Sequence, residues 1–345
     1  MVVTGPISLA FVSLATTTYL FAADLQSDLP YESPGSTSAV LDVYRPDDGL
    51  QPGVPTILFI HGGAWYAGDK TDSPDFLTAL ADAGYGVVSG NYTRSSPEFS
   101  SYPQAVHDVK AIVKWIRTVG SELGLSPTVI STGPSAGGHL TMLLSTSSGI
   151  EVFEPLAPPP GGYDIQAAIP FWGLSDLVTQ ANDMGSSGPL AWFLGDIYDA
   201  DCHDLYVEAS PITWVSTDDP PIHLAHGLLD HLHPWRQSLE LQQAMQSLDI
   251  HASAEYFVGG HGFEEYGGEW VAAAMVIDMI PELLAQGRTP DIDRDHDIDV
   301  DDLLVMLSNW STCPELPADC PADLDGDGTV GLPDLMQLLN DFGSR

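Results

Sequence analysis

The chain has 345 residues, 44% of them apolar, which is room for one large α/β domain plus a small appendage and ample for a packed core. Ten Lys and Arg stand against 48 Asp and Glu, and a formal net charge of −38 argues against nucleic acid and anionic membranes as partners. Of three cysteines, Cys313 and Cys320 are close enough in sequence to pair, and Cys202 is left alone.

Residues Ile7 to Ala23 are apolar and small, like the core of a signal peptide, and too short and Thr-rich for a membrane span. Residues 1–23 are therefore expected to direct secretion. The flank lacks Lys or Arg, and the cleavage point stays open between Ala15 and Ala22/Ala23. Next, Ala39–Tyr44 reads as a strand, and Thr56–Ile60, apolar without alternation, as a parallel strand buried on both faces. Helix Phe76–Ala83 ends at Gly84, and strand Gly86–Ser89 follows. Val106, Val109, Ile112, Val113 and Ile116 form a helical stripe within Ala105–Val119. Strands at Thr128–Thr132, Ala167–Phe171, Ile222–Ala225 and Ala254–Phe257 then alternate with helices after the first of them, at Trp235–Leu248 and at Trp270–Leu284. Alternation of this kind specifies an α/β fold, a mostly parallel sheet with helices on both faces, across residues 24–288. Two irregular excursions, Gly149–Tyr163 and Asp176–Ser210, are expected at the strands' C-terminal side, where such sheets bind ligands.

Ser135 lies in Gly133-Pro134-Ser135-Ala136-Gly137, between an apolar strand and a helix. That is the context of a nucleophile elbow, in which small neighbours let the backbone turn tightly and expose the hydroxyl. A serine nucleophile needs a base, a carboxylate to orient it, and donors for the oxyanion. In this arrangement the acid follows the serine in sequence and the histidine comes last. Asp230, just after a buried strand, is the acid, with Asp176 as rival; His261, in a glycine-rich loop before the last helix, is the base. Oxyanion donors are expected from the backbone of Ala136 and from Gly63 and Ala64 in His61-Gly62-Gly63-Ala64-Trp65. Trp65, Tyr66, Trp192 and His233 are read as substrate contacts, and His61 and His139 as bracing residues. No cofactor is required for this chemistry.

HGGAW, GPSAGG, HGLLD and GGHGF, in that order, resemble the α/β-hydrolase esterases with an HGG-type oxyanion loop. Leu41-Asp42-Val43-Tyr44-Arg45-Pro46, Asn91-Tyr92 and Ser210-Pro211-Ile212-Thr213 are most similar to the bifunctional feruloyl and acetyl-xylan esterases. The resemblance runs from about Ala39 to Leu284 and implies a serine esterase that removes acetyl or feruloyl groups from plant polysaccharide. A short-acyl carboxylesterase, with polyester as a variant substrate, is the competing enzyme; a catalytically dead binding protein is the non-enzyme alternative.

Residues 289–345 contain a repeat. Asp291-x-Asp293-x-Asp295 with Asp297 and Asp302 recurs as Asp323-x-Asp325-x-Asp327 with Thr329 and Asp334, an offset of 323 − 291 = 32 residues, each copy leading into an apolar helix. Oxygen ligands at this spacing wrap Ca²⁺, a hard cation, so two structural calcium sites are expected. Two such loops, each followed by one helix, resemble the all-α dockerin module, which implies a cohesin-like protein partner. His296 stands where the first loop needs a sharp turn, and Val300-Asp301 and Leu332-Pro333 depart from the family's recognition pairs, so no particular cohesin follows.

Overall fold

The computed structural model describes residues 24–154, 157–159, 162–287, 290–292, 298–313, 320–324 and 329–343; the expected leader, residues 1–23, lies outside them. The strands are β1 (Asp24–Pro30), β2 (Val40–Arg45), β3 (Thr56–Ile60), β4 (Gly86–Gly90), β5 (Val129–Pro134), β6 (Ala167–Phe171), β7 (Ile222–Gly227) and β8 (Ala252–Phe257). They form one sheet in the order β1-β2-β4-β3-β5-β6-β7-β8, antiparallel at β1/β2 and β2/β4 and parallel from β4 to β8. β3 is buried along its whole length, which is why its sequence lacks alternation.

Helices cover both faces. On one lie α1 (Pro74–Asp82) and α9 (Glu269–Gln286), packing Phe76, Leu80, Ala272, Val276 and Ile280 against Ile57, Phe59 and Ile169. On the other lie α2 (Gln104–Thr118) and α3 (Ala136–Thr146). The α2 stripe, Val106, Val109, Ile112, Val113 and Ile116, is buried completely or nearly so, each side chain contributing about 1.5–3 kcal/mol. α7 (Arg236–Gln246) packs on β8, and α8 (Phe263–Tyr266) leads into α9. The excursion 176–210 is not irregular: it folds into α4 (Leu177–Met184), α5 (Pro189–Leu194) and α6 (His203–Glu208).

β1 has no counterpart in the sequence reading, which started the sheet near Ala39. Its sequence, DLQSDLP, is polar and mostly exposed, with no strand pattern to find. Tertiary contacts hold it instead. The ladder with β2 is broken by an irregularity between Gln26 and Leu29, Asp28 takes φ +58°, and its N–H goes to Asp42 Oδ1 at 2.8 Å. Lys70 Nζ then bridges Asp28 at 3.0 Å and buried Asp42 at 2.8 Å, tying this edge down.

The C-terminal residues carry α10 (Val300–Ser308) and α11 (Leu332–Asp341), a two-residue pair of β9 (Ser311–Thr312) with β10 (Thr329–Val330), and the disulfide Cys313–Cys320. A small core gathers Ile292, Met306, Ala322, Val330 and Leu338. The sequence repeat is also a hydrogen-bond repeat. Asp302 accepts from the backbone N–H of Ile292 (2.5 Å) and Asp299 (2.8 Å); Asp334 accepts from Leu324 and Gly331, both at 2.7 Å. Among the expected calcium ligands, Asp291, Asp302, Asp323, Thr329 and Asp334 are described, whereas Asp293, Asp295, Asp297, Asp325 and Asp327 lie outside the described residues. No helix among the described residues is long and apolar enough to cross a membrane.

Candidate active site

β5 ends at Pro134 and α3 begins at Ala136, leaving Ser135 on the turn at φ 58°, ψ −120°, a conformation costly for any residue with a Cβ. The fold imposes it. Ser135 N–H is held by Phe171 O at 2.9 Å on neighbouring β6, and Ser135 O accepts from His139 N at 2.9 Å. A Cβ on Gly137 would lie 1.9 Å from Ile60 O, so only glycine lets α3 start this close to the end of β3.

The three residues singled out at this sheet edge are brought together. Ser135 Oγ is 2.9 Å from His261 Nε2, and His261 Nδ1 is 2.6 Å from Asp230 Oδ2. A carboxylate oxygen can only accept, so Nδ1 carries the proton and Nε2 is left to accept from the serine. Asp230 Oδ1 accepts from the N–H of Leu232 (2.8 Å) and His233 (2.9 Å), and His226 Nε2 stands 3.5 Å from Oδ2. Burial alone would raise the Asp230 pKa. Hydrogen bonds from His226, His261 and the His233 amide outweigh it and hold the carboxyl far below the usual range. Asp176, the rival acid, is the N-cap of α4, where its oxygens accept from Thr179 N (3.0 Å) and Thr179 Oγ1 (2.6 Å).

Opposite the histidine runs the loop 61–68. Gly63, Ala64 and Trp65 take φ of 107°, 50° and 61° in succession. Gly63 O accepts from Tyr66 N (3.1 Å) and Ala67 N (2.9 Å), while Gly62 O faces His61 Nδ1 at 2.7 Å. In a trans peptide the N–H points away from the carbonyl, so the Ala64 and Gly63 N–H groups are turned away from those bonds, and both residues line the cleft. Ala136 is the first residue of α3, and its N–H is one of the four with no intrahelical partner. The cleft beside Ser135 has a volume of about 380 Å³, walled by Tyr66, Trp172 and Phe263.

Three of the four expected substrate contacts do not line the cleft. Trp65 is 3% exposed, stacks on Phe193 with centroids 4.7 Å apart, and donates from Nε1 to His139 Nδ1 at 3.2 Å. It braces the loop from inside because its positive φ turns the large apolar ring into the core. His233 is buried too; its Nδ1 faces Trp172 O at 2.7 Å and its ring meets His261 edge-on at 4.6 Å. Burial, and then the nearby His261, lower its pKa to about 3, so it backs the base as a neutral ring. Trp192 is half-buried and reaches the cleft only through Tyr66, against which it packs edge-on at 5.3 Å. Tyr66 does line the cleft.

His139, the sequence's bracing residue, accepts from Trp65 through Nδ1 and bonds Ala209 O through Nε2 (2.9 Å), with a pKa lowered by burial to about 4. Sequence reasoning missed Trp172 and Phe263. Trp172 directly follows β6, the strand beside the nucleophile's, and position at a strand's C-terminal end was the available signal.

Chemically, the arrangement can pass a proton from the Ser135 hydroxyl to His261 and meet a developing negative charge with backbone donors.

Comparison with known proteins fits this geometry. The BD-FAE family matches residues 41–245, a span that holds Ser135 and Asp230 and stops before His261. Esterase LipQ of Mycobacterium tuberculosis is 31% identical over 230 residues, 64% of this chain and 52% of that one. The probable carboxylic ester hydrolase LipM of the same organism is 31% identical over 261 residues, 71% of this chain and 58% of its own. The chain thus spans somewhat over half the length of these relatives. Among solved structures, a truncated carbohydrate esterase from gut microbiota shares the fold with a TM-score of 0.67 and 24% identity, across 78% of this chain and 98% of that one.

Proposed function

The chain belongs to the BD-FAE family, and from that premise we propose that it is a secreted carboxylic-ester hydrolase working through Ser135, His261 and Asp230. The observation that carries this is the unbroken chain of contacts from Ser135 Oγ through His261 to Asp230, at 2.9 and 2.6 Å, beside an open cleft.

Ser135 Oγ attacks the ester carbonyl carbon as its proton passes to His261 Nε2, and the carbonyl π pair moves onto oxygen. The N–H groups of Ala136, Gly63 and Ala64 receive that oxyanion, while ionised Asp230 stabilises the imidazolium. Collapse of the tetrahedral intermediate breaks the bond to the alkoxide, which takes the proton from Nε2 and leaves an acyl-serine. Water, deprotonated by the same nitrogen, then attacks the acyl carbon, releasing the acid and restoring the serine hydroxyl.

The substrate read here is an acetyl or feruloyl ester on plant polysaccharide. An aromatic-walled cleft and a similar protein described as a carbohydrate esterase support it. A general short-acyl carboxylesterase, active also on synthetic polyester, is the competing reading. Rates on p-nitrophenyl acetate, methyl ferulate and acetylated xylan separate them: turnover of the first alone rejects the polysaccharide substrate. Ser135→Ala should abolish all three while leaving the fold intact, and retained hydrolysis would reject the mechanism in favour of a different site.

For residues 289–345 the reading is a dockerin-like module with two calcium sites. Its donor set is made of hard oxygens, and the Asp302 and Asp334 carboxylates are fully buried, each bonded to the backbone at the entry and the end of its loop, which fits a small cation rather than solvent. Bound calcium would supply the charge that lets those carboxylates converge. Leu304, Leu307 and Trp310 on one repeat are exposed and recur as exposed Met336, Leu339 and Phe342 on the other, a duplicated apolar face that supports a cohesin-like protein partner.

A further inference from the structure

The loop 61–70 is held in an unfavourable shape, and most of what holds it comes from one short segment. Left-handed backbone costs a non-glycine residue roughly 1–2 kcal/mol, and Ala64 and Trp65 adopt it side by side. Such a conformation persists only where its surroundings over-determine it. Those surroundings are Asn91 to Ser95, the residues that follow β4. Asn91 Oδ1 accepts from Lys70 N at 2.6 Å; Tyr92 Oη donates to His61 O at 3.2 Å; Arg94 Nη1 donates to Gly68 O at 2.6 Å; and Ser95 donates to Trp65 O from its N–H at 2.8 Å and its hydroxyl at 3.2 Å. Four residues thus fix the loop's backbone at positions 61, 65, 68 and 70.

Tyr92 is the centre of this set. It is fully buried and stacks on His61 with ring centroids 4.3 Å apart and planes 15° apart. His61 in turn is clamped from another side by Gly68, where a Cβ would sit 2.4 Å from His61 Nδ1 and from Gly62 O. Nδ1 faces a carbonyl, so it carries the ring proton and donates to Gly62 O. That bond turns the Gly62–Gly63 peptide so that its N–H points the other way. The direction of one oxyanion donor therefore depends on where the His61 backbone and ring sit, and the Tyr92 hydroxyl holds them through His61 O while its stacked ring supports them. Burial keeps the Tyr92 phenol protonated far above neutral pH and lowers the His61 pKa, so the pair stays neutral and its bonds do not change sign across the working range.

We propose that Tyr92, assisted by Arg94 from the same segment, is a positioning residue for the oxyanion hole: through His61 and the loop carbonyls it aims the Gly63 and Ala64 N–H groups at the developing oxyanion. The assignment rests on the esterase reading. Tyr92 and Arg94 touch no reacting atom. Their effect is on the donors' geometry, where loss of one donor costs about 10²–10³ in kcat and a misaimed donor costs less.

The test is Tyr92→Phe, which keeps the ring stack and removes only the hydroxyl, together with exposed Arg94→Met and Arg94→Lys. Each is assayed on p-nitrophenyl acetate and with a trifluoromethyl ketone, a probe that forms a serine-bound oxyanion. Tyr92→Phe should lower kcat on the order of tenfold, leave KM within about twofold, and weaken trifluoromethyl ketone binding by the same factor as kcat. The pH profile should keep its midpoint, because the serine, histidine and aspartate are untouched. Arg94→Met should show a smaller loss of the same pattern, and Arg94→Lys, which retains a donor, should recover it. A merely structural role lowers the melting temperature without moving kcat below the melt. The proposal is overturned if Tyr92→Phe and Arg94→Met keep kcat within twofold while Ser135→Ala is inactive, or if kcat falls and ketone affinity does not. Activity in Ser135→Ala would instead remove the esterase mechanism, and with it the role given to Tyr92.

Discussion

Replacing Asp230 by Asn exchanges one carboxylate oxygen for an NH₂ group at almost the same volume, and its effect follows from which groups surround the carboxylate. Oδ1 accepts from two backbone N–H groups, of Leu232 and His233, and Oδ2 faces two imidazole nitrogens, of His261 at 2.6 Å and His226 at 3.5 Å. The amide oxygen of Asn would stay on the backbone donors, which directs its NH₂ toward His261 Nδ1. Two donors cannot bond, so His261 relieves the conflict by moving its proton to Nε2. The tautomer then presents an N–H to Ser135 where a lone pair is required. The same exchange in serine-protease triads costs about 10⁴ in kcat, or about 5.4 kcal/mol of transition-state stabilisation. His226 Nε2 already bonds His233 O at 2.9 Å, so it has an alternative partner and the fold should lose only about 1–3 kcal/mol. The assay is steady-state hydrolysis of p-nitrophenyl acetate, with urea denaturation in parallel to show that the variant is folded. Asp230→Asn is expected to lose about 10⁴ in kcat with KM nearly unchanged, and Asp176→Asn, which alters a helix cap, to lose little. A folded Asp230→Asn within tenfold of the parent enzyme would refute the reasoning.

Stability should fall on acidification because His139 and His233, with pKa values lowered to about 4 and about 3, stay neutral in the fold while the unfolded chain takes up protons below about pH 6.5. Their contribution is complete above that pH and declines by about 1.4 kcal/mol per unit for each group down to about pH 4; His139→Gln should remove its share of the slope in urea titrations, and an unchanged slope would count against it. Trp65→Phe leaves His139 Nδ1 a buried acceptor without its donor, so the urea midpoint should drop by an amount worth about 1–3 kcal/mol, and a change below about 0.5 kcal/mol would contradict the bracing role. EDTA should loosen α10 and α11, read as faster amide exchange in those helices, and leave turnover of p-nitrophenyl acetate nearly unchanged; calcium-insensitive exchange there would reject the two metal sites.

Seven of the eight strands of the main sheet were legible because each carries closely spaced apolar residues between turn residues, and the elbow because its G-x-S-x-G lies between such a strand and a helix. β1 was not, since its polar sequence owes its shape to Lys70 and Asp42, residues remote in the chain. The serine, the histidine and the aspartate could be picked out from the G-x-S-x-G motif, their order in the chain and their places after strand ends, with Asp176 left as a rival acid. Side-chain direction could not. Trp65 and Tyr66 are neighbours of similar character, and nothing in the sequence says that a positive φ at Trp65 sends one into the core while the other stays at the cleft. His233 raised the same difficulty: only the carbonyl of Trp172, brought from another strand end, turns it away from solvent.

The pairing at α5 has an evolutionary corollary. Phe193 clasps the buried Trp65, whereas adjacent Trp192 leans on Tyr66. One residue anchors the loop from the core and the next backs the cleft wall. A directed-evolution library that diversifies positions 66 and 192 would therefore reshape the cleft wall while leaving the Trp65–Phe193 stack beneath it untouched.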